Sequence, residues 1–252
     1  MLRVSGLALA RQDRTILTGI GFALPAGSLA ALIGPNGAGK STLLAALAGD
    51  LVPRSGDITV GEHPLAGMAL AERARIRAML PQRPQIAFGF PVSDVVAMGL
   101  HPHGLSARTE PGRRIVTGAL SALDLLALAD RPAFALSGGE EQRAHLARTL
   151  AQVEGALAAG LTPLLLLDEP VTGLDYRHQD ALARLLRGLA AQGVTIVMSV
   201  HDIAIARDLA DRVLLLAEGR LRADGPPGAV LSAPLIARWF GLDERAAHRL
   251  AA

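Results

Sequence analysis

The sequence contains no cysteine. That excludes disulfides and thiolate metal sites, and it agrees with a reducing compartment without requiring one. Aromatic residues make up only 3%, too few for a platform on which nucleic-acid bases stack. The longest apolar run, near Ala156 to Leu167, is broken by Gly160 and Pro163 and is too short to span a bilayer. Met1 to Ala10 has neither the charged start nor the unbroken apolar centre of a secretion signal, so a soluble, cytoplasmic chain is expected. No basic tail is present. The formal charge of +2 comes from arginines scattered along the chain, which suits a solvated surface better than a nucleic-acid stripe, and no nucleic-acid partner is expected. With 252 residues, half of them apolar, the chain can bury a substantial core as one large or two small units.

The most informative stretch is Gly34-Pro35-Asn36-Gly37-Ala38-Gly39-Lys40-Ser41-Thr42, which satisfies G-x-x-x-x-G-K-[ST] at every fixed position. A strand-length apolar run, Ser28 to Ile33, precedes it, and Lys40 to Leu47 follows with good helix formers and no Pro or Gly. In a strand-loop-helix of this kind the glycines let successive N–H groups face one anion, with the helix N-terminus adding partial positive charge. Lys40 then reaches the terminal phosphates of a nucleotide and the Ser41 hydroxyl ligates Mg²⁺.

Elsewhere, Leu2 to Leu9 and Ile20 to Leu24, separated by the charged turn Arg11 to Arg14, predict an antiparallel hairpin, with Asp57 to Val60 as a further strand. Arg73, Arg75 and Arg77 stand two apart and read as an anion site or as a solvated face. Ile76 to Pro81 reads as a short buried strand that ends at Gln82. From Gln82 to Ala151 the pattern is mostly helical: Val92 to Leu100 with Ser93 as N-cap, Arg113 to Leu128, and Glu140 to Ala151. Strands resume at Leu164 to Leu167, Thr195 to Val200 and Arg212 to Leu216. Between them, Leu182, Leu185, Leu186 and Leu189 fall at i, i+3, i+4 and i+7. Strands alternating with helices predict an α/β fold with a parallel sheet covered on both faces. A last helix holds Trp239, read as a packing residue.

Leu164-Leu165-Leu166-Leu167-Asp168-Glu169-Pro170 puts two carboxylates at the C-terminal end of a buried strand, where open parallel sheets bind ligands. Asp168 is the expected Mg²⁺-side carboxylate, and Glu169 the candidate base for the water that attacks a γ-phosphate. In Leu136-Ser137-Gly138-Gly139-Glu140 a hydroxyl and two glycines open another helix, a second candidate phosphate cradle.

With this segment the sequence resembles the ATP-binding cassette (ABC) family, whose signature is LSGGQ; here Glu140 stands in the Gln position. The likeness covers nearly the whole chain. It includes the phosphate loop, Gln82, the signature, Asp168 and Glu169, the D-loop Gly173-Leu174-Asp175, and His201 in Ser199-Val200-His201-Asp202. The resemblance implies a P-loop (RecA-like) core, residues 1–82 and 160–252, with an N-terminal antiparallel β subdomain and a helical subdomain inserted over 83–159. It also implies a head-to-tail homodimer in which ATP lies between the phosphate loop of one copy and Ser137, Gly138, Gly139 and Glu140 of the other. Gln82 is then expected to touch Mg²⁺ or the attacking water and to relay the nucleotide state, and His201 to contact the γ-phosphate and hold Glu169. Two departures stand out. The turn Ala10-Arg11-Gln12-Asp13 has no ring to stack on adenine, leaving the Arg11 guanidinium as the stand-in. Val171 replaces the commoner Thr or Ser.

Phe88-Gly89-Phe90-Pro91-Val92, Asp94 to Gly99, His101-Pro102-His103 and Leu174 to Gln179 resemble importers of iron chelates, heme and cobalamin. The stretch Val153 to Pro163, with Ser137 to Arg143, looks most like the heme-import ATPases. That likeness implies an ATPase on the cytoplasmic face of the bacterial inner membrane, peripheral, working with permease subunits at Gln82 to Leu100 and indirectly with a periplasmic binding protein. Ile86 to Leu100, with Phe88 and Val95, is expected to offer the permease an exposed apolar surface. His101 and His103 read as loop or interface residues rather than cargo ligands. Ferric siderophore or cobalamin are the alternative cargoes, and a soluble cassette ATPase unconnected with transport is the alternative of another class.

Overall fold

The computed structural model describes residues 1–12, 14–82 and 89–251. Its strands are β1 (Leu2–Arg11), β2 (Arg14–Leu24), β3 (Leu29–Ile33), β4 (Ser55–Val60), β5 (His63–Pro64), β6 (Arg77–Leu80), β7 (Leu164–Asp168), β8 (Thr195–Ser199), β9 (Arg212–Ala217) and β10 (Arg220–Gly225). The α-helices are α1 (Lys40–Leu47), α2 (Leu70–Ile76), α3 (Val92–Ala97), α4 (Glu110–Ala122), α5 (Gly138–Ala158), α6 (Tyr176–Ala191), α7 (Ile203–Leu209), α8 (Pro227–Val230), α9 (Ala233–Phe240) and α10 (Glu244–Ala251). Among the described residues no helix is long and apolar enough to cross a membrane.

The hairpin expected at the start forms, and β4 and β5 extend it into an antiparallel sheet of order β2-β1-β4-β5. The second sheet has the order β10-β9-β3-β8-β7-β6, parallel except for the edge strand β10. Every residue of β3, β7 and β8 is buried, as their nearly unbroken apolar runs require of strands covered on both faces. Successive side chains divide between two cores: Leu29, Ala31, Ile33, Leu165, Leu167, Ile196 and Met198 face one, while Ala30, Leu32, Leu164, Leu166 and Val197 face the other with α1 and the antiparallel sheet. Each fully buried Leu contributes about 1.5–3 kcal/mol, so this sheet is the rigid part of the molecule.

Strand order then decides what meets at its edge. The loop after β3, the carboxylates ending β7 and the residues after β8 and β6 all emerge at the same C-terminal edge, with β8 between β3 and β7. His201 follows the middle strand.

Between Gln82 and Leu164 the regular elements among the described residues are helices, with one isolated bridge, Pro91 with Pro132. Four expectations change here. The cap of α3 is Pro91, with no side-chain cap bond, because the chain turns into the helix two residues earlier than a Ser93 cap requires. The helix expected over 113–128 ends at Ala122, and α5 runs on to Ala158, so half of the Val153 to Pro163 stretch is helix. The expected exposed surface at Ile86 to Leu100 is corrected as well: Val92, Val95, Val96 and Leu100 are all 2% exposed or less. Val92, Val95 and Val96 of α3 and Leu100 in the turn after it pack toward α5, leaving Phe90 on the surface. Ile86, Ala87 and Phe88 lie outside the described residues.

Neither reading of the arginine triplet describes Arg73 and Arg77. The Arg73 guanidinium donates to the Gly49 carbonyl at the end of α1, a favourable place for a cation, and Arg77 pairs with Asp50 at 2.7 Å. Gln152 of α5 donates to the carbonyls of Ala74 and Arg77 at 2.7 and 2.9 Å. The strand that leads to Gln82 is therefore tied to both the phosphate-loop helix and the signature helix. His103 wedges against α5: a Cβ on Gly155 would lie 2.6 Å from its Cδ2, which makes it a packing residue, while His101 is exposed.

His145 of α5 is 0% exposed and its ring nitrogens make no hydrogen bond. Burial, with the nearby Arg148 charge, pushes its pKa down to about 4. The unfolded chain takes up that proton near 6.5, the folded one only near 4. The contribution is thus complete above pH 6.5 and falls as pH drops toward 4, by on the order of 3 kcal/mol in all. Denaturant unfolding at a series of pH values should show this slope, and His145→Leu should flatten it.

Candidate nucleotide site

The loop after β3 has the backbone that a phosphate cradle needs. Gly34 sits at φ 150°, and a Cβ there would lie 1.9 Å from the Leu216 carbonyl oxygen, so only glycine lets the loop leave the sheet at this point. Gly39 caps α1 at φ 104°. Lys40 is 7% exposed, and its Nζ donates to the carbonyls of Gly34 at 2.7 Å and Pro35 at 3.2 Å. Burial lowers the lysine pKa, while the charges of Glu169 and Asp168 partly offset it. Asn36, Gly37, Ala38, Gly39, Lys40, Ser41 and Thr42 line an open cleft of about 330 Å³ together with Gln82, Glu169 and His201.

Opposite the loop, Gln82 Nε2 donates to Glu169 Oε1 at 2.7 Å, and His201 Nε2 lies 2.6 Å from the same oxygen. A carboxylate only accepts, so Nε2 carries the proton and donates. Burial alone would raise the Glu169 carboxyl; the bonds from His201 and Gln82 and the charges of His201 and Lys40 outweigh it and hold the group below its usual value. Both donors sit on Oε1. Oε2 meets Thr172 Oγ1 at 3.5 Å, too long to occupy it.

Glu169 adopts φ 53°, a costly conformation for a residue with a Cβ. Ser199, at the end of β8, fixes it: Ser199 Oγ accepts from Glu169 N at 2.9 Å and donates to Asp168 Oδ1 at 2.5 Å. One buried hydroxyl orients both carboxylate residues. Sequence reasoning passed over Ser199, although a hydroxyl closing the apolar run Thr195 to Met198 was a usable signal. Ile16 of β2 was also missed; it lines the cleft, and Arg11 does not. Val171 packs against the core, which explains how an apolar residue is tolerated there.

The donors suit Mg²⁺. Ser41 and Gln82 line the cleft and offer a hydroxyl and an amide oxygen, hard ligands of the kind this ion takes alongside phosphate oxygens and water. Asp168 is 3% exposed, is not in that lining and accepts from Ser199 on Oδ1, so it would act on such an ion through water. Among the described residues no three His, Cys, Asp or Glu side chains cluster to hold a metal alone.

Ser137, Gly138, Gly139 and Glu140 do not line the cleft. Ser137 caps α5, and a Cβ on Gly139 would lie 3.2 Å from the Gly173 carbonyl oxygen, so signature and D-loop abut. Asp175 caps α6, accepting from His178 N at 2.9 Å and lying 2.7 Å from His178 Nδ1. Those bonds hold its carboxyl below the usual range.

Residues 17–172 match the ABC transporter family. The chain is 45% identical over 244 residues to the hemin import ATP-binding protein HmuV of Nocardia farcinica, covering 95% of this chain and 82% of the relative. The HmuV of Bordetella pertussis is also 45% identical, over 245 residues, with 96% and 92% covered. A solved ATP-binding subunit of an ABC transporter superposes with a TM-score of 0.80 at 27% identity, covering 100% of both chains. An inward-facing metal-chelate type ABC transporter gives 0.77 at 30% identity, with 96% and 89% covered.

Proposed function

The chain belongs to the ABC transporter family, and from that premise we propose that it is the ATP-hydrolysing subunit of a membrane importer that takes up heme. The observation that carries the chemistry is the convergence of Gln82 and His201 on one oxygen of Glu169, across a cleft from Lys40. Loop amides and the Lys40 ammonium bind the phosphates of ATP. Ser41 and Gln82, with Asp168 acting through water, would hold Mg²⁺, which would supply positive charge to offset that on the phosphates. With Oε1 occupied, Glu169 presents Oε2 to the attacking water and accepts its proton. His201 holds the carboxylate from one side, and Gln82 links it to the chain entering the helical subdomain, residues 83–159.

Because Ser137 to Glu140 lie outside their own subunit's cleft, the ATP is completed by a second copy, head to tail. Hydrolysis removes the bridging γ-phosphate and lets the copies part. Permease subunits dock in the Gln82 to Leu100 region, where Phe90 is exposed, with the protein peripheral on the cytoplasmic face of the inner membrane and a periplasmic binding protein delivering cargo from the far side. Support for heme is the similarity to hemin import proteins along nearly the full chain.

ATPase activity in vesicles carrying the cognate permease should rise when heme-loaded binding protein is enclosed. Stimulation by a ferric siderophore or cobalamin but not heme would replace the cargo, and ATPase activity indifferent to the permease would favour a soluble cassette ATPase.

A further inference from the structure

The signature serine is already engaged. Ser137 Oγ donates to Glu140 Oε2 at 2.7 Å, and the same oxygen accepts from Ser137 N, also at 2.7 Å. Glu140 N in turn donates to Ser137 Oγ at 3.4 Å. A serine hydroxyl has one proton to give. While it points at Glu140 it cannot donate to a phosphate oxygen, and an ionised carboxylate is a stronger acceptor than a neutral amide. These bonds from Ser137 outweigh the small effect of burial and keep the Glu140 carboxyl below its usual range, so it stays charged at neutral pH.

We propose that Glu140 is a latch: its carboxylate holds the only proton of the Ser137 hydroxyl in the free subunit and thereby sets how much ATP is needed to close two copies. The inference rests on the head-to-tail reading above. On closing, the hydroxyl has to turn from Glu140 to the partner's γ-phosphate, and a negative carboxylate stays next to that phosphate. Both effects oppose closure. Glu140 acts through Ser137 and is a positioning residue.

Glu140→Gln keeps the shape and leaves an amide oxygen to accept from Ser137 N, so the cap survives while the charge goes. Dimer formation is best followed by sedimentation against ATP concentration in the Glu169→Gln background, which separates closure from turnover. Adding Glu140→Gln should lower the ATP concentration at half-dimerisation roughly tenfold, as expected for one unit charge removed a few ångströms from a phosphate. The melting midpoint of the nucleotide-free subunit should fall only slightly, since the amide oxygen keeps the bond from Ser137 N and loses only the charge of an exposed group. A purely structural role would instead lower the midpoint and leave the ATP dependence of dimerisation in place. If Glu169→Gln dimerises and the added substitution shifts the half-point less than twofold, the latch is wrong. If Glu169→Gln alone stays monomeric at saturating ATP, the head-to-tail reading fails instead.

Discussion

Glu169→Gln should bind ATP, lower turnover by roughly 10²–10⁴-fold and accumulate as a closed dimer. The carboxylate lies across the cleft from the phosphate loop and is held by two donors on one oxygen. Replacing it with an amide removes the proton acceptor without emptying the position. The substituted side chain would still meet Gln82 and His201 by turning its amide oxygen toward them, so the cleft keeps its shape and ATP keeps its contacts. Binding and chemistry should therefore separate: nucleotide affinity measured by fluorescence titration stays within a few-fold while phosphate release collapses. Wild-type rates of phosphate release from Glu169→Gln would remove this residue from the role of base.

Lys40→Ala should behave in the opposite way, losing affinity and turnover together. The Lys40 ammonium is the cation buried at the mouth of the loop, between the carbonyls of Gly34 and Pro35 and the charges of Asp168 and Glu169. Without it, Asp168 and Glu169 lose the nearby lysine charge that offsets theirs beside the phosphates of ATP. Removing one such preorganised charge typically costs roughly 10²–10³-fold. Nucleotide titration and steady-state hydrolysis should both show the loss. A variant that bound ATP normally and failed only in turnover would mean that the loop amides suffice for binding.

The site was legible where chemistry demands a fixed residue type at a fixed spacing. The phosphate loop needs glycine where a Cβ would strike Leu216, and the carboxylates after Leu164 to Leu167 need a buried strand to present them. Strand order was not legible, since nothing in the run Thr195 to Ser199 says that it lies between β3 and β7. That placement is what gives Ser199 its hold on Asp168 and Glu169. Helix α3 shows a second limit: Val92, Val95 and Val96 look alike whether they wait for a partner or pack on α5. The arginine triplet shows a third. Arg73 and Arg77 bind a backbone carbonyl and a carboxylate about two dozen residues upstream, a pairing that no local pattern announces.

Lys40 is the only lysine in the sequence, so apart from an α-amino group the protein carries a single primary amine. Its lowered pKa leaves more of it as the reactive neutral amine, while burial restricts access. An acylating reagent therefore has one side-chain target, and it stands inside the nucleotide cleft. Mass spectrometry of one peptide, with and without ATP, would report occupancy of the cleft directly, without labelling any other side chain.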